Sequence, residues 1–79
     1  MTLRLTKTAF QIGSQHGIAL ELHSDGVRIG SAELMLPADD SALDHVIDRL
    51  ISQASRHGVR ISGAKRLALF HEIEMGAVL

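Results

Sequence analysis

His16, His23, His45, His57 and His71 are the side chains of this sequence best suited to proton transfer or metal ligation. A helical zinc motif needs two histidines four residues apart on one face, and no pair here has that spacing. His45 stands three residues before Asp48, so the two could touch on a helix surface. A solvated polar face is the preferred reading of that pair, because motif matches without context mislead. His71 is followed by Glu72 and Glu74. In an extended segment the histidine and both carboxylates would point to opposite faces, which spoils a simple His–carboxylate site. Serines occur at positions 14, 24, 31, 41, 52, 55 and 62, none within a nucleophile-elbow pattern. Neither Gly26–Gly30 nor Gly58–Gly63 has the form of a phosphate-binding loop. Cysteine is absent, which removes disulfides, thiolate metal sites and thiol catalysis. The expectation is a protein that is not an enzyme, with no catalytic residues, no metal and no cofactor.

Charge carries more information than these candidates do. Net charge is −1, so there is no global polyanion or polycation signal. Locally, Asp39, Asp40, Asp44 and Asp48 crowd the first half of one segment, and Arg49, Arg56 and His57 follow in the second. On a helical wheel Asp44 and Asp48 fall on one flank, Arg49 and Arg56 on the other. That polarity complements a helix dipole. It also supports two binding readings. The aspartates could imitate phosphates and occupy a partner protein's nucleic-acid groove. Alternatively, Arg49, Arg56, Arg60, Lys65 and Arg66 could bind phosphates directly, though no aromatic residue interleaves them to stack on bases.

These charges need elements to position them. Leu3 and Leu5 alternate with polar residues as in a strand, while Phe10 and Ile12 carry the opposite phase. Keeping both sets on one face predicts a bulge near Lys7–Thr8. Gly13 to Gly17 reads as the first connection, and Ile18 to His23 as the second strand. Ser24-Asp25-Gly26-Val27 follows, with Asp-Gly suited to a two-residue type I′ turn. That turn sets a register in which Leu22 faces Ile29. An extra residue at Gly30–Ser31 would then bring Leu20 opposite Ala32, Ile18 opposite Leu34 and His16 opposite Leu36. Val27 to Leu36 is the third strand, stopped by Pro37. Leu43, Val46, Ile47, Leu50, Ile51 and Ala54 recur at helical spacing, predicting a helix over Ser41 to His57 capped by Asp39, Asp40 or Ser41. Gly58 suits its C′ position. Val59 to Ile61 reads as a short extended return. Lys65 to Met75 reads as a strand, because Leu67, Leu69, Ile73 and Met75 alternate, whereas a helical wheel scatters the apolar residues around its circumference. The predicted fold is α+β: an antiparallel sheet with one amphipathic helix on one face, in the order β-β-β-α-β.

Seventy-nine residues make a single domain, and 46% hydrophobic content argues against disorder. So small a chain buries a limited fraction of its surface, and self-association would add burial. The apolar tail, Met75 to Leu79, could serve as core or as the contact of a homodimer. No apolar run approaches the length of a membrane span, and the first residues lack the hydrophobic stretch of a signal peptide. A cytoplasmic protein is expected.

The hairpin at Ser24-Asp25-Gly26, the helix from Ser41 to His57 and the closing segment Lys65 to His71 give a layout that resembles small phage-encoded anti-CRISPR inhibitors. The resemblance is one of layout across the chain and rests on no residue motif. It implies a protein that binds a CRISPR effector complex and blocks its access to DNA, with Asp39, Asp40, Asp44 and Asp48 in contact. A nucleic-acid-binding accessory protein using the basic residues, or a homo-oligomeric structural subunit, are the alternatives.

Overall fold

The computed structural model describes residues 2–77 and, among side chains, those of residues 2–75. Three strands, β1 (Leu3–Ile12), β2 (Gln15–Ser24) and β3 (Val27–Leu36), form an antiparallel sheet in the order β1-β2-β3. Two helices follow, α1 (Asp40–Arg56) and α2 (Gly63–Ala77). The architecture is α+β, with element order β-β-β-α-α. The expected closing strand is instead a second helix.

Both hairpins turn on two residues. Asp25 and Gly26 have φ of 51° and 84°, the two positive values that a type I′ turn requires, as the sequence predicts. The β2–β3 register places His16 opposite Leu36, Ile18 opposite Leu34 and Leu20 opposite Ala32, all as expected. The irregularity lies slightly earlier than predicted. Leu22 pairs with Gly30 and His23 with Arg28, so Ile29 is the extra residue. Ile29 and Gly30 are consequently both buried, and the bulge switches the phase of β3 so that Ile29 and Leu34 serve one core.

Gly30 also sets how closely α1 can lie. A Cβ at this position would stand 3.3 Å from the Leu50 carbonyl oxygen and 3.4 Å from Gln53 Cβ. That approach lets Gln53 reach the rim of the sheet, where its side-chain amide accepts from Ser31 N–H at 2.8 Å and donates to Ser31 O at 2.9 Å. One side chain thus supplies both hydrogen bonds that a fourth strand would make at Ser31. Gly30→Val should destabilise the fold by about 1–3 kcal/mol through overpacking. Urea denaturation checks this, and a stability equal to wild type would show that α1 has room to retreat.

β1 corrects another expectation. It pairs with β2 without interruption from Leu3↔Ser24 to Ile12↔Gln15, so no bulge occurs at Lys7–Thr8. Phe10 and Ile12 simply face the other side of the sheet from Leu5. Phe10 is held there by its cross-strand partner: a Cβ on Gly17 would lie 2.5 Å from Phe10 Cζ, so the ring rests on the bare glycine backbone. The predicted connection from Gly13 to Gly17 contracts to Gly13 and Ser14 because Gln15, His16 and Gly17 already belong to β2.

Helix α1 matches its prediction to within a residue at each end. Asp39 is the N-cap, its Oδ1 accepting from Ala42 N–H at 2.8 Å. At the other end Gly58, with φ of 77°, follows the C-cap His57. Gly58 N–H donates to Ser55 O and Val59 N–H to Ala54 O, which together close a Schellman motif. Leu43, Val46, Ile47, Leu50 and Ala54 are buried against Ile18, Leu20, Leu22, Ile29 and Leu34 of the sheet.

Helix α2 packs beside α1 and the β1 side of the sheet. Ser62 caps it, with Oγ accepting from Lys65 N–H and its carbonyl from Arg66 N–H. Among its described side chains only Leu69 and Ile73 are buried, with Arg66 and Phe70 half-buried beside them. This narrow stripe explains why the strand reading failed. Ala, Lys, Arg, Leu, Glu and Met are good helix formers and outweigh an alternation that arises by coincidence. Of the apolar tail, Met75 is exposed, while Val78 and Leu79 lie outside the described residues. Among the described residues no helix is long and apolar enough to cross a membrane.

Candidate interaction surface

The chemistry of α1 follows from its two flanks. With the stripe from Leu43 to Ala54 facing the sheet, Asp44 and Asp48 point toward α2. There Arg66 bridges them: Nη1 donates to Asp48 Oδ1 and Nη2 reaches Asp44 Oδ1 at 3.5 Å. One guanidinium answers two carboxylates, so the flank keeps a net negative charge. Both aspartates remain more than half exposed, at 56% and 66%. Asp40 is exposed in the first turn of the same helix. Asp39 is engaged as the N-cap. Of the four aspartates singled out from the sequence, three therefore have a defined role within the fold, and Asp44 and Asp48 still present carboxylate to solvent.

The basic residues are not brought together. Arg66 lies on the acidic flank. Arg49 sits on the opposite side of α1, facing the β3 rim beside Ser31, Glu33 and Met35. Arg60 lies in the connection between the helices, near Ile51 and Ser55. Lys65 turns toward Leu3, Leu5 and Leu22 at the β1 side of α2. Arg56 is exposed in the last turn of α1, where it complements the dipole. A continuous phosphate-binding face does not form from these positions.

Beside the Asp44–Arg66 pair runs a shallow groove of about 420 Å³ between the helices, lined by Asp44, Gly63, Arg66, Leu67 and Phe70. Leu67 is 58% exposed, and Phe70 is half-buried. The combination is an apolar floor with a carboxylate wall. Sequence reasoning missed Leu67 and Phe70 because their adjacency, three residues apart on one side, exists only if the segment is helical. The available signal was an excess of apolar residues for the width of a single buried stripe.

No protein-family model matches the chain, and no curated protein or solved structure is significantly similar to it. Its function is therefore read from its own geometry.

The sheet face turned away from the helices is the other large surface. Its hairpin end carries Arg4, His23 and Arg28 in one row across the three strands. Glu21 lies among them, with Oε1 3.1 Å from His23 Nε2 and Oε2 3.7 Å from Arg28 Nη1. The other end is apolar, with Phe10, Ile12 and Met35 around Gly17. The remaining histidines, His16, His45, His57 and His71, are all exposed. Among the described residues no three His, Cys, Asp or Glu side chains converge in a way that could hold a metal ion.

Proposed function

We propose that this chain is a non-enzymatic protein-binding module that engages its partner through the outer groove of the helix pair. The observation that carries this reading is the Asp44–Arg66–Asp48 cluster standing beside exposed Leu67. Arg66 holds the two carboxylates in place without neutralising them, and Asp40 adds a third charge. A surface of this kind fits a partner that offers basic side chains around an apolar one, with the apolar contact contributing affinity and the charges contributing register and encounter rate. The cationic channel of a nucleic-acid-handling complex has that chemistry. The narrower proposal is therefore an anti-CRISPR-type inhibitor whose aspartates occupy phosphate positions on a CRISPR effector complex.

The triple variant Asp40→Asn, Asp44→Asn, Asp48→Asn tests the acidic wall. The fold should survive, since exposed ion pairs contribute only about 0–1 kcal/mol each. Binding should weaken by roughly tenfold or more at low salt, with the gap narrowing as salt rises. For the narrower proposal the readout is a DNA mobility shift with a panel of purified effector complexes. Addition of the chain should release DNA from its cognate complex, and the triple variant should not. Undiminished DNA binding across the panel would remove the anti-CRISPR reading. For the module itself, proteins retained from lysate by the wild type but lost by both the triple variant and Leu67→Ser are the supporting result. Equal retention by all three forms would move the contact off this groove.

A further inference from the structure

The two rims of the sheet are treated differently by the fold. At β3, Gln53 occupies the outward N–H and C=O of Ser31, and Arg49 stands over the rim beyond it. The hydrogen-bonding phase of the whole sheet follows from this contact. Ser31 points outward, so its partner Glu21 must point toward β1, which pairs Glu21 with Thr6. The contact of Thr6 Oγ1 with Glu21 O agrees. Thr6, Thr8, Phe10 and Ile12 thus bond inward to β2, and Lys7, Ala9 and Gln11 turn their backbone groups outward, with no backbone partner among the described residues.

Among the described residues, no contact of helix α2 with that rim lies beyond Lys7. The helix meets β1 near Leu3 and Leu5, and its last hydrogen bond to the strand is Lys7 Nζ to Glu72 O at 3.1 Å. From Thr8 to Ile12 every residue is exposed except half-buried Phe10. The segment Thr8-Ala9-Phe10-Gln11-Ile12 contains no charge, no proline and no glycine. Sheet rims are usually protected by charge, proline, a bulge or a covering element, and among the described residues this stretch has none of them.

We infer that the chain self-associates through this rim, two copies pairing β1 with β1 in antiparallel fashion about a two-fold axis at Phe10 to form one continuous six-stranded sheet. The second copy is the occupant because the segment is complementary to itself. With Phe10 opposite Phe10 of the other copy, Ala9 faces Gln11 in hydrogen-bonded pairs, and Thr8 faces Ile12. Lys7 falls opposite Gly13, so no like charges meet across the pair. Ile12, 65% exposed in one copy, gains a neighbour on the same face. Pairing β1 to the β3 rim of another copy would instead meet Gln53 and propagate without closing. The paired length is short, so the dimer belongs among small, weak interfaces.

Sedimentation over ~1 μM to ~1 mM tests this, and the mass should rise from one chain toward two across the series. Ala9→Pro removes an outward N–H without breaking any bond to β2, and should raise the midpoint concentration at least tenfold, by analogy with prolines tolerated on rim strands. Ala9→Lys places like charges near the axis at a solvent-exposed site. It should have the same effect at low salt and a smaller one at high salt, and it decides the matter if the proline variant fails to fold. A single-chain mass across the whole series overturns the inference. So does dimerisation unchanged in Ala9→Lys, or dimerisation abolished by Leu67→Ser but retained in Ala9→Lys, which would assign the contact to α2.

Discussion

Leu50→Ala should lower the unfolding free energy by about 2–5 kcal/mol, the range for deleting a fully buried leucine with incomplete collapse of the cavity. Leu50 is 0% exposed, and it lies where α1 packs tightly on β3, its carbonyl oxygen set against Gly30. The site has little freedom to collapse. Around it stand Leu22, Ile29 and Leu34, which the β3 bulge and the two hairpins fix in place. A domain of this size has a total stability of roughly 4–12 kcal/mol, so the loss is a large part of the whole. Urea denaturation followed by far-UV circular dichroism measures it. The midpoint should fall with little change in slope, since the surface exposed on unfolding hardly changes. A loss below about 1 kcal/mol would mean that α1 closes onto the sheet after truncation, and the tight contact at Gly30 would then be incidental.

The centre of this core was legible in the sequence because local and long-range signals agree there. Asp25-Gly26 fixes a turn, the turn fixes a register, and the register allows only one arrangement that buries Ile18, Leu20 and Leu22 together with Leu34. The same agreement holds along α1, where Asp39 caps, the apolar stripe is continuous and Gly58 closes. The errors arose where one residue had two physical uses. Apolar pattern alone sends Phe10 to the core, yet a glycine across the strand gives its ring a seat on the open face. The backbone freedom of Gly30 suggests a bulge there, whereas Gly30 serves by lacking a side chain beneath α1, and Ile29 takes the extra position. Alternating leucines suggested a strand from Lys65 to Met75, although the composition there favours a helix at nearly every position. A strand would also have needed a free rim, and Gln53 occupies part of one.

The candidate site was half legible for the same reason. The division of charge along α1 needed only the wheel of one helix. What holds the aspartates, and what lies beside them, required the second helix. With α2 in place, Arg66 passes from the basic set into the acidic flank, and Leu67 and Phe70 become its neighbours. The binding surface is thus a property of the helix pair, and its integrity depends on how α2 is fastened.

That fastening is slight, and Ile73→Ala should expose it. Among the described residues, Leu69 and Ile73 are the buried anchors of α2, supported by Arg66 and by the Lys7 bond to Glu72 O. Ile73 is 0% exposed, so its truncation should cost about 2–5 kcal/mol, much like Leu50. The consequence differs because of where the residue sits. The sheet and α1 keep Leu20, Leu22, Leu34, Ile47 and Leu50 in the core, while among the described residues α2 retains Leu69 as its one buried anchor. Stability in small domains is distributed unevenly, and elements with few buried contacts open first. Native-state hydrogen exchange should therefore show α2 amides losing protection by roughly thirtyfold or more, as a 2–5 kcal/mol penalty implies, with β2 and α1 much less affected. Equal loss of protection across all elements would show that α2 unfolds only with the rest of the domain. If the unequal pattern holds, partner binding should fall in Ile73→Ala although Asp40, Asp44, Asp48 and Leu67 are all intact. Opening of α2 takes Arg66 away from the carboxylates and the apolar floor away from the wall, and the binding-competent fraction falls with it.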